Sequence, residues 1–280
     1  MNQIRSDFIF FGYGRITDYL MNYFLNRGKS VICVTNQAKP ISEKTDLRFL
    51  SREELIDHKV VSDFTVFCWR DSTALSVATN EWLLNNLVGI QKSFLLSSAS
   101  VYPSSERLLD EDPINLSPDH LLNSKFLLER KLGEIFHAQE ISHMNLRIAN
   151  VYGPRLQHGL ISRLLDSLSH KISVDIYNEK SITRDYVSVS DLSLAIDRLT
   201  KIQTKIQDLN ISTGIGTDIE GVLQVFEDLG RKIDLRNYTN PPNDIKTKVV
   251  LDCRLLRSTI QWNPISLKVG ISGILSQSIF

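Results

Sequence analysis

The chain has 280 residues, 42% of them hydrophobic and 23% charged, an ordinary globular composition with room for one large α/β domain or a domain plus a smaller lobe. Lysine plus arginine and aspartate plus glutamate each number 32, so no charge bias points to nucleic acid or an anionic membrane. No apolar stretch approaches the ~20 residues that span a bilayer. The run at 8–11 is too short for a signal peptide, and Cys33, Cys68 and Cys253 are too scattered for a disulfide frame or a zinc site. A reduced, cytoplasmic protein without a metal is expected.

Along the chain, apolar runs alternate with helical segments, the pattern of βαβ units and a parallel sheet. A first strand is expected at 8–11, Phe8-Ile9-Phe10-Phe11. Residues 15–26 carry Ile16, Leu20, Tyr23 and Phe24 at helical spacing, and Gly28 ends that helix. Strands are expected at 31–34 and 64–68, a helix at 74–87, and a strand at 94–96. Ser117 and Pro118 suit the start of a helix running to about residue 137, and a strand at 144–148 follows. Beyond Gly153-Pro154 the alternation loosens. Helices are expected at 160–169, 191–199 and 219–229, a strand at 174–177, and a loop at Asn240-Pro241-Pro242-Asn243.

Gly12-Tyr13-Gly14-Arg15-Ile16-Thr17 lies between the first strand and the first helix, where a dinucleotide-binding turn belongs. Glycines there allow a tight turn and close approach to a pyrophosphate, whose charge the helix N–H groups receive. Gly12 and Gly14 fit a G-x-G spacing, while Thr17 stands where a third glycine would let helix and strand pack closely. A G-x-G alone is a weak signal. The second strand ends Val34-Thr35-Asn36-Gln37-Ala38-Lys39, without the acid that accepts adenosine ribose hydroxyls. This leans the expected cofactor, NAD or NADP, toward NADP.

Five later segments carry more information. Phe94-Leu95-Leu96 leads into Ser97-Ser98-Ala99-Ser100-Val101-Tyr102-Pro103, and Lys125 follows on the next helix. Arg147-Ile148-Ala149-Asn150-Val151-Tyr152-Gly153-Pro154 comes next, then Thr183-Arg184-Asp185-Tyr186-Val187-Ser188-Val189-Ser190-Asp191. Asn210-Ile211-Ser212-Thr213-Gly214 and Trp262-Asn263-Pro264 complete the set. Together they resemble the extended short-chain dehydrogenase/reductase family, of the NAD-dependent epimerase/dehydratase type that acts on nucleotide sugars. The resemblance covers almost the whole chain.

It implies an α/β fold, a Rossmann-type doubly wound parallel sheet with a small C-terminal substrate lobe. Residues 1–153 with about 180–213 would bind NAD(P), and 154–179 with 214–280 would form the lobe. Gly12, Tyr13, Gly14, Arg15, Ile16, Thr35, Asn36, Cys68, Trp69 and Lys125 would line the cofactor. Ser98 and Lys125 would be the catalytic hydroxyl and ammonium, and Asn150 and Arg184 would face a nucleotide-sugar substrate. Arginine suits a diphosphate because its fork donates paired, charge-assisted hydrogen bonds. Asp185 and Asp191 read better as braces for loops and helix starts. A homodimer is expected through the helix after Pro118 and the helix at 74–87, as related enzymes pair.

One member of the family pattern is missing. The proton-moving tyrosine, one helical turn before Lys125, is replaced by Leu121. Leucine moves no proton, and loss of a positioned acid/base removes about 10²–10⁴ in rate. His120, Tyr102 and Tyr13 are candidates to replace it. The expected function is thus a nucleotide-sugar epimerase/dehydratase-like activity with an altered proton-transfer site. The second reading is a catalytically silent dinucleotide-binding protein with a structural or regulatory role. Leu121, Thr17 and the missing ribose acid favour silence; the Asn150 and Arg184 segments favour an enzyme.

Overall fold

Phe8, Ile9, Phe10 and Phe11 are all buried, as a strand covered on both faces requires. The computed structural model describes residues 2–37, 45–69, 77–116, 124–157, 159–177, 182–239 and 247–277. The chain divides into two compact units. The first comprises Met1–Val101, Pro118–Arg147 and Ile196–Leu209; the second comprises Tyr102–Ser117, Ile148–Ala195 and Asn210–Phe280.

In chain order the first unit contributes β1 (Asn2–Phe11), α1 (Arg15–Leu25), β2 (Val31–Val34), β3 (Leu47–Leu50), α2 (Arg52–Ile56) and β4 (His58–Phe67). It continues with α3 (Val77–Asn86), β5 (Leu87–Val88), β6 (Lys92–Ser98), α4 (Ser124–His137) and β7 (Ser142–Ile148). Next come β8 (Asn150–Tyr152), α5 (Leu160–His170), β9 (Val174–Tyr177), β10 (Thr183–Ser188), α6 (Val189–Thr200) and β11 (Asp208–Ile211). The chain ends with β12 (Gly216–Asp218), α7 (Ile219–Asp228), β13 (Leu235–Thr239), β14 (Lys248–Val249), α8 (Arg254–Thr259) and α9 (Leu267–Gln277).

The large sheet runs β3-β2-β1-β4-β6-β7-β11, with β5 beside β4. β1 pairs in parallel with β2 and β4, β2 with β3, and β4 with β6. Strand order reverses between β1 and β4, and in such sheets the crevice beyond the strand ends at the reversal takes the ligand. All four residues of β2 are buried. α1 buries Thr17, Leu20, Met21 and Phe24 on one face, and Phe24 stacks on Phe8 at 4.0 Å between centroids. This is the doubly wound sheet expected from the alternation of runs.

β1 and β4 are longer than their apolar runs imply. They pair from Asn2 opposite His58 to Phe11 opposite Phe67, and the outer half of β4 is only partly buried, so polar residues are tolerated there. The short β3 buries only Leu50, which hid it in the sequence. At the start of β6, Lys92 is buried, and its Nζ donates to Leu199 O at 2.8 Å and to Ile202 O. A cation at the end of α6 offsets the negative pole of that helix. The helix expected from Pro118 is described from Ser124, and 70–76, 117–123 and the loop at 240–243 lie outside the described residues.

In the second unit β10 pairs in parallel with β8 and β14 and antiparallel with β12. β9 and β13 form a separate parallel pair. Tyr152, Leu164, Ile176, Val222, Phe226 and Ile271 share its core. Residues 102–117 and 148–153 fall in this unit, not with the sheet-forming segments among which the sequence places them. The reason is local pairing: β8 joins β10, and the Tyr102 hydroxyl bonds Asn210. Among the described residues no helix is long and apolar enough to cross a membrane.

Candidate functional site

Gly12 closes the end of β1 with φ +100, a conformation that suits glycine. A Cβ there would lie 3.3 Å from Trp69 Cδ1 and 3.4 Å from Cys68 C and O. The ends of the neighbouring strands are stitched to it: Gly12 N donates to Val34 O at 2.9 Å, and Cys68 N donates to Phe11 O at 2.8 Å. Gly14 caps α1, and a Cβ on it would meet nothing within 4 Å. Space is thus left at the start of a helix whose first N–H groups lack intrahelical acceptors. Bare backbone at β1, an open cap and the strand reversal together fit a dinucleotide pyrophosphate.

Thr17, at the third-glycine position, is buried near the Cys68 thiol. Burial pushes that thiol up to about 11, although Thr17 and the Lys125 charge oppose the rise. Thr35 Oγ1 accepts from Gln37 N at 3.1 Å and closes the end of β2. Asn36 Oδ1 accepts from Arg52 N, also at 3.1 Å. The guanidinium of Arg52 stands 5.9 Å from the centroid of the Trp69 ring. Sequence reasoning missed Arg52, because β3 before it gives little apolar signal.

Lys125 lies near the start of the described part of α4. Its Nζ donates to Trp69 O at 2.6 Å and to Leu96 O at 2.8 Å. The ammonium therefore sits at the carboxyl ends of β4 and β6. Ser98 ends β6, and its Oγ accepts from Ser100 N at 3.1 Å. Its neighbour Ser97 points elsewhere, donating to Glu129 Oε1.

Beneath these residues runs a buried polar chain. Arg147 Nη2 donates to Glu129 Oε2 at 3.0 Å and to Asp208 Oδ2 at 2.9 Å. Asn145 Nδ2 donates to Asp208 Oδ1 at 2.8 Å, and His143 bridges Asn145 Oδ1 and Ser93 Oγ at 3.1 and 2.9 Å. Burial raises the Glu129 carboxyl, while Arg147 and Ser97 oppose the rise. Arg147, the first residue of its motif, is thus a structural cation.

In the second unit Asn150 and Arg184 line the same cavity, of about 250 Å³, although 34 positions separate them in sequence. The parallel register of β8 and β10, with Tyr186 opposite Asn150, brings them together. Tyr152, Tyr186, Arg163 and Ile182 share the wall. Arg184 Nη1 donates to Thr183 O at 2.9 Å and to Thr247 O at 2.8 Å. Burial pulls its pKa down, yet a guanidinium stays charged at neutral pH. Arg163 donates to Asp175 O.

Both aspartates act as braces. Asp185 accepts from Thr213 N, Thr213 Oγ1 and Gly214 N at 2.7–3.0 Å. Asp191 Oδ2 accepts from Ser188 Oγ at 2.7 Å and Ile265 N at 3.2 Å. Trp262 Nε1 donates to Ser212 O at 2.8 Å, so the two loosest sequence matches touch one another.

Tyr102 and Tyr13, two candidates to carry the proton in place of a tyrosine before Lys125, are both engaged in hydrogen bonds. Tyr102 is buried, and its Oη donates to Asn210 Oδ1 at 2.9 Å. Tyr13 Oη donates to Asp18 Oδ1 at 3.1 Å, and burial followed by the Asp18 charge raises its pKa. Both hydroxyls serve structural bonds. His120 and Leu121 lie outside the described residues.

The sheet order and the glycine turn at the strand reversal define a dinucleotide-binding α/β protein. Residues 68–212, more than half of the chain, match the NAD dependent epimerase/dehydratase family. The chain belongs to that family. It is 31% identical over 194 residues to a protein of Methanocaldococcus jannaschii named after UDP-glucose 4-epimerase. That match covers 65% of this chain and 61% of the relative's length. The solved UDP-glucose 4-epimerase of Thermotoga maritima with UDP-glucose superposes with a TM-score of 0.80 at 19% identity, over 99% of this chain and 100% of that one. MoeE5 in complex with UDP-glucuronic acid and NAD gives a TM-score of 0.77 at 22% identity, over 98% and 100%.

Proposed function

We propose that the protein binds NAD(P) with its first unit and a nucleotide-diphosphate sugar with its second, and that its epimerase/dehydratase-like chemistry is slowed at proton transfer. The observation that carries this reading is the joint lining of one cavity by Asn150 and Arg184. A scaffold has no need to keep an amide and a guanidinium on one pocket wall. Relatives whose names include UDP-glucose and UDP-glucuronic acid make a UDP-sugar the first ligand to test.

The cofactor residues are Gly12, Tyr13, Gly14, Arg15, Ile16, Thr35, Asn36, Cys68, Trp69 and Lys125. When bound, the nicotinamide would supply hydride transfer. Lys125 would hold the cofactor ribose, and Ser98 would hydrogen-bond a sugar oxygen. Arg184 and Asn150 hold the diphosphate. Leu121 carries no proton, so turnover is expected to run about 10²–10⁴ below that of a tyrosine-bearing relative. The protein works in the cytoplasm as a homodimer, which Leu84 of α3 and Leu127 of α4 support, being 43% and 36% exposed.

A silent, structural or regulatory role is the second reading, and the engagement of Tyr13 and Tyr102 in structural bonds favours it. Calorimetric titration with UDP-glucose and UDP-glucuronic acid tests the substrate reading. Binding should weaken at least about tenfold in Arg184→Ala, since hydrogen bonds to charged groups contribute ~1.5–3 kcal/mol. No binding by the wild type at millimolar concentration would sink it.

A further inference from the structure

We propose that Arg52 holds a phosphate monoester on the 2′-oxygen of the adenosine ribose, and that the protein therefore prefers NADP to NAD. The inference rests on the reading of the first unit as the cofactor half, and it names a determinant that lies outside the glycine turn and outside β2.

Position is the first observation. The backbone N of Arg52 donates to Asn36 Oδ1 at 3.1 Å, which sets residue 52 against the end of β2. In a doubly wound sheet the residue ending this strand meets the ribose 2′-position. On its other side the Arg52 guanidinium stands over the Trp69 ring, and Trp69 Cδ1 lies 3.3 Å from where a Gly12 Cβ would be. Gly12, Trp69, Arg52 and Asn36 thus form one row along the carboxyl edge of the sheet.

Charge is the second. The end of β2 carries no carboxylate to accept ribose hydroxyls and repel a phosphate. Two acids close in sequence to this edge are engaged locally. Glu54 Oε2 accepts from Ser51 N at 2.6 Å, and Asp18 Oδ1 accepts from the Tyr13 hydroxyl. The Arg52 guanidinium forms no ion pair with a described residue. Ser51 and Glu54 close a capping box that fixes the start of α2, where Arg52 stands. A half-buried arginine, oriented by an indole and without a carboxylate partner among the described residues, presents its fork to an incoming dianion.

The test is titration of the full chain with NADP, NAD, adenosine 2′,5′-bisphosphate and adenosine 5′-monophosphate, read by calorimetry and by quenching of tryptophan emission. In the wild type NADP should bind at least about tenfold more tightly than NAD, and the bisphosphate more tightly than the monophosphate, as charge-assisted bonds predict. Arg52→Gln should weaken NADP about 10–100-fold and leave NAD within about threefold. Arg52→Lys, which keeps the charge but not the fork, should fall between. NAD binding as tightly as NADP would overturn the proposal and leave the cofactor reading intact. An equal loss of both in folded Arg52→Gln would also overturn it, because the residue would then support the turn and not the phosphate. Failure of both dinucleotides to bind the wild type at millimolar concentration would overturn the cofactor reading, and this inference with it.

Discussion

Gly270 faces Tyr152 so closely that a Cβ would overlap the phenol hydroxyl. That hydroxyl is buried and has no hydrogen-bond partner among the described residues. Gly270→Ala must therefore move α9 or the ring, and overpacking of this kind costs about 1–3 kcal/mol. A denaturant midpoint equal to that of the wild type would show that the helix shifts freely. His143 gives a pH-dependent counterpart. Burial lowers its imidazole to about 4, with the Asn145 bond opposing. Between that value and the unfolded value of about 6.5, the unfolded chain holds more protons than the native one. Stability should thus fall as pH drops through this window, by up to ~3 kcal/mol from this one group. Denaturation at pH 7 and pH 4.5 measures the fall, and His143→Gln should reduce it; an unchanged fall would assign it to other groups. Asn150 and Arg184, which line one cavity, were singled out in the sequence because each sits inside a contiguous motif. Arg52 and His143 were not, because their partners, Trp69 just after β4 and Ser93 on β6, are distant in sequence.

α4 and β7 meet through Glu129 and Arg147, and both side chains are only 2% exposed. Removing Glu129 leaves the buried Arg147 with Asp208 as its remaining carboxylate. Glu129→Ala is expected to destabilise the protein by about 1–3 kcal/mol, since Arg147 keeps Asp208 while Ser97 loses its acceptor, and Glu129→Gln, which keeps that acceptor, by less. Urea denaturation ranks the two, and the reverse order would show that the carboxylate charge is unneeded. The outer sides of α3 and α4 carry Leu84 and Leu127 toward solvent. Light scattering at micromolar concentration should give a dimer, and Leu84→Glu with Leu127→Glu a folded monomer. A monomeric wild type would rule out pairing through these helices. Elements with regular apolar spacing, such as α1, were legible from sequence. β3 and the outer halves of β1 and β4 were not, since mixed burial removes the apolar run by which a strand is recognised.

At the scale of the molecule, the two units divide the candidate site residues between them. Gly12, Trp69, Ser98 and Lys125 belong to the first, and Asn150 and Arg184 to the second. The fold class could be read from βα alternation. The division of the chain could not, because it follows β8 pairing with β10 and Asn210 bonding Tyr102, contacts distant in sequence. We propose that Leu121, four residues before Lys125 in sequence, stands where the family pattern has its proton-moving tyrosine. The account holds that cofactor and sugar still bind while proton transfer is slowed. The most direct measurement is the rate of nicotinamide reduction on mixing the protein, its dinucleotide and a panel of nucleotide sugars, for wild type and Leu121→Tyr. The nearby ammonium of Lys125 should lower the new phenol below its ordinary value of about 10. The account predicts a slow wild type and a folded variant faster by up to about 10²–10⁴. A wild type already as fast as the variant would contradict it, and a folded, cofactor-binding variant with no gain on any sugar would leave the silent role as the function.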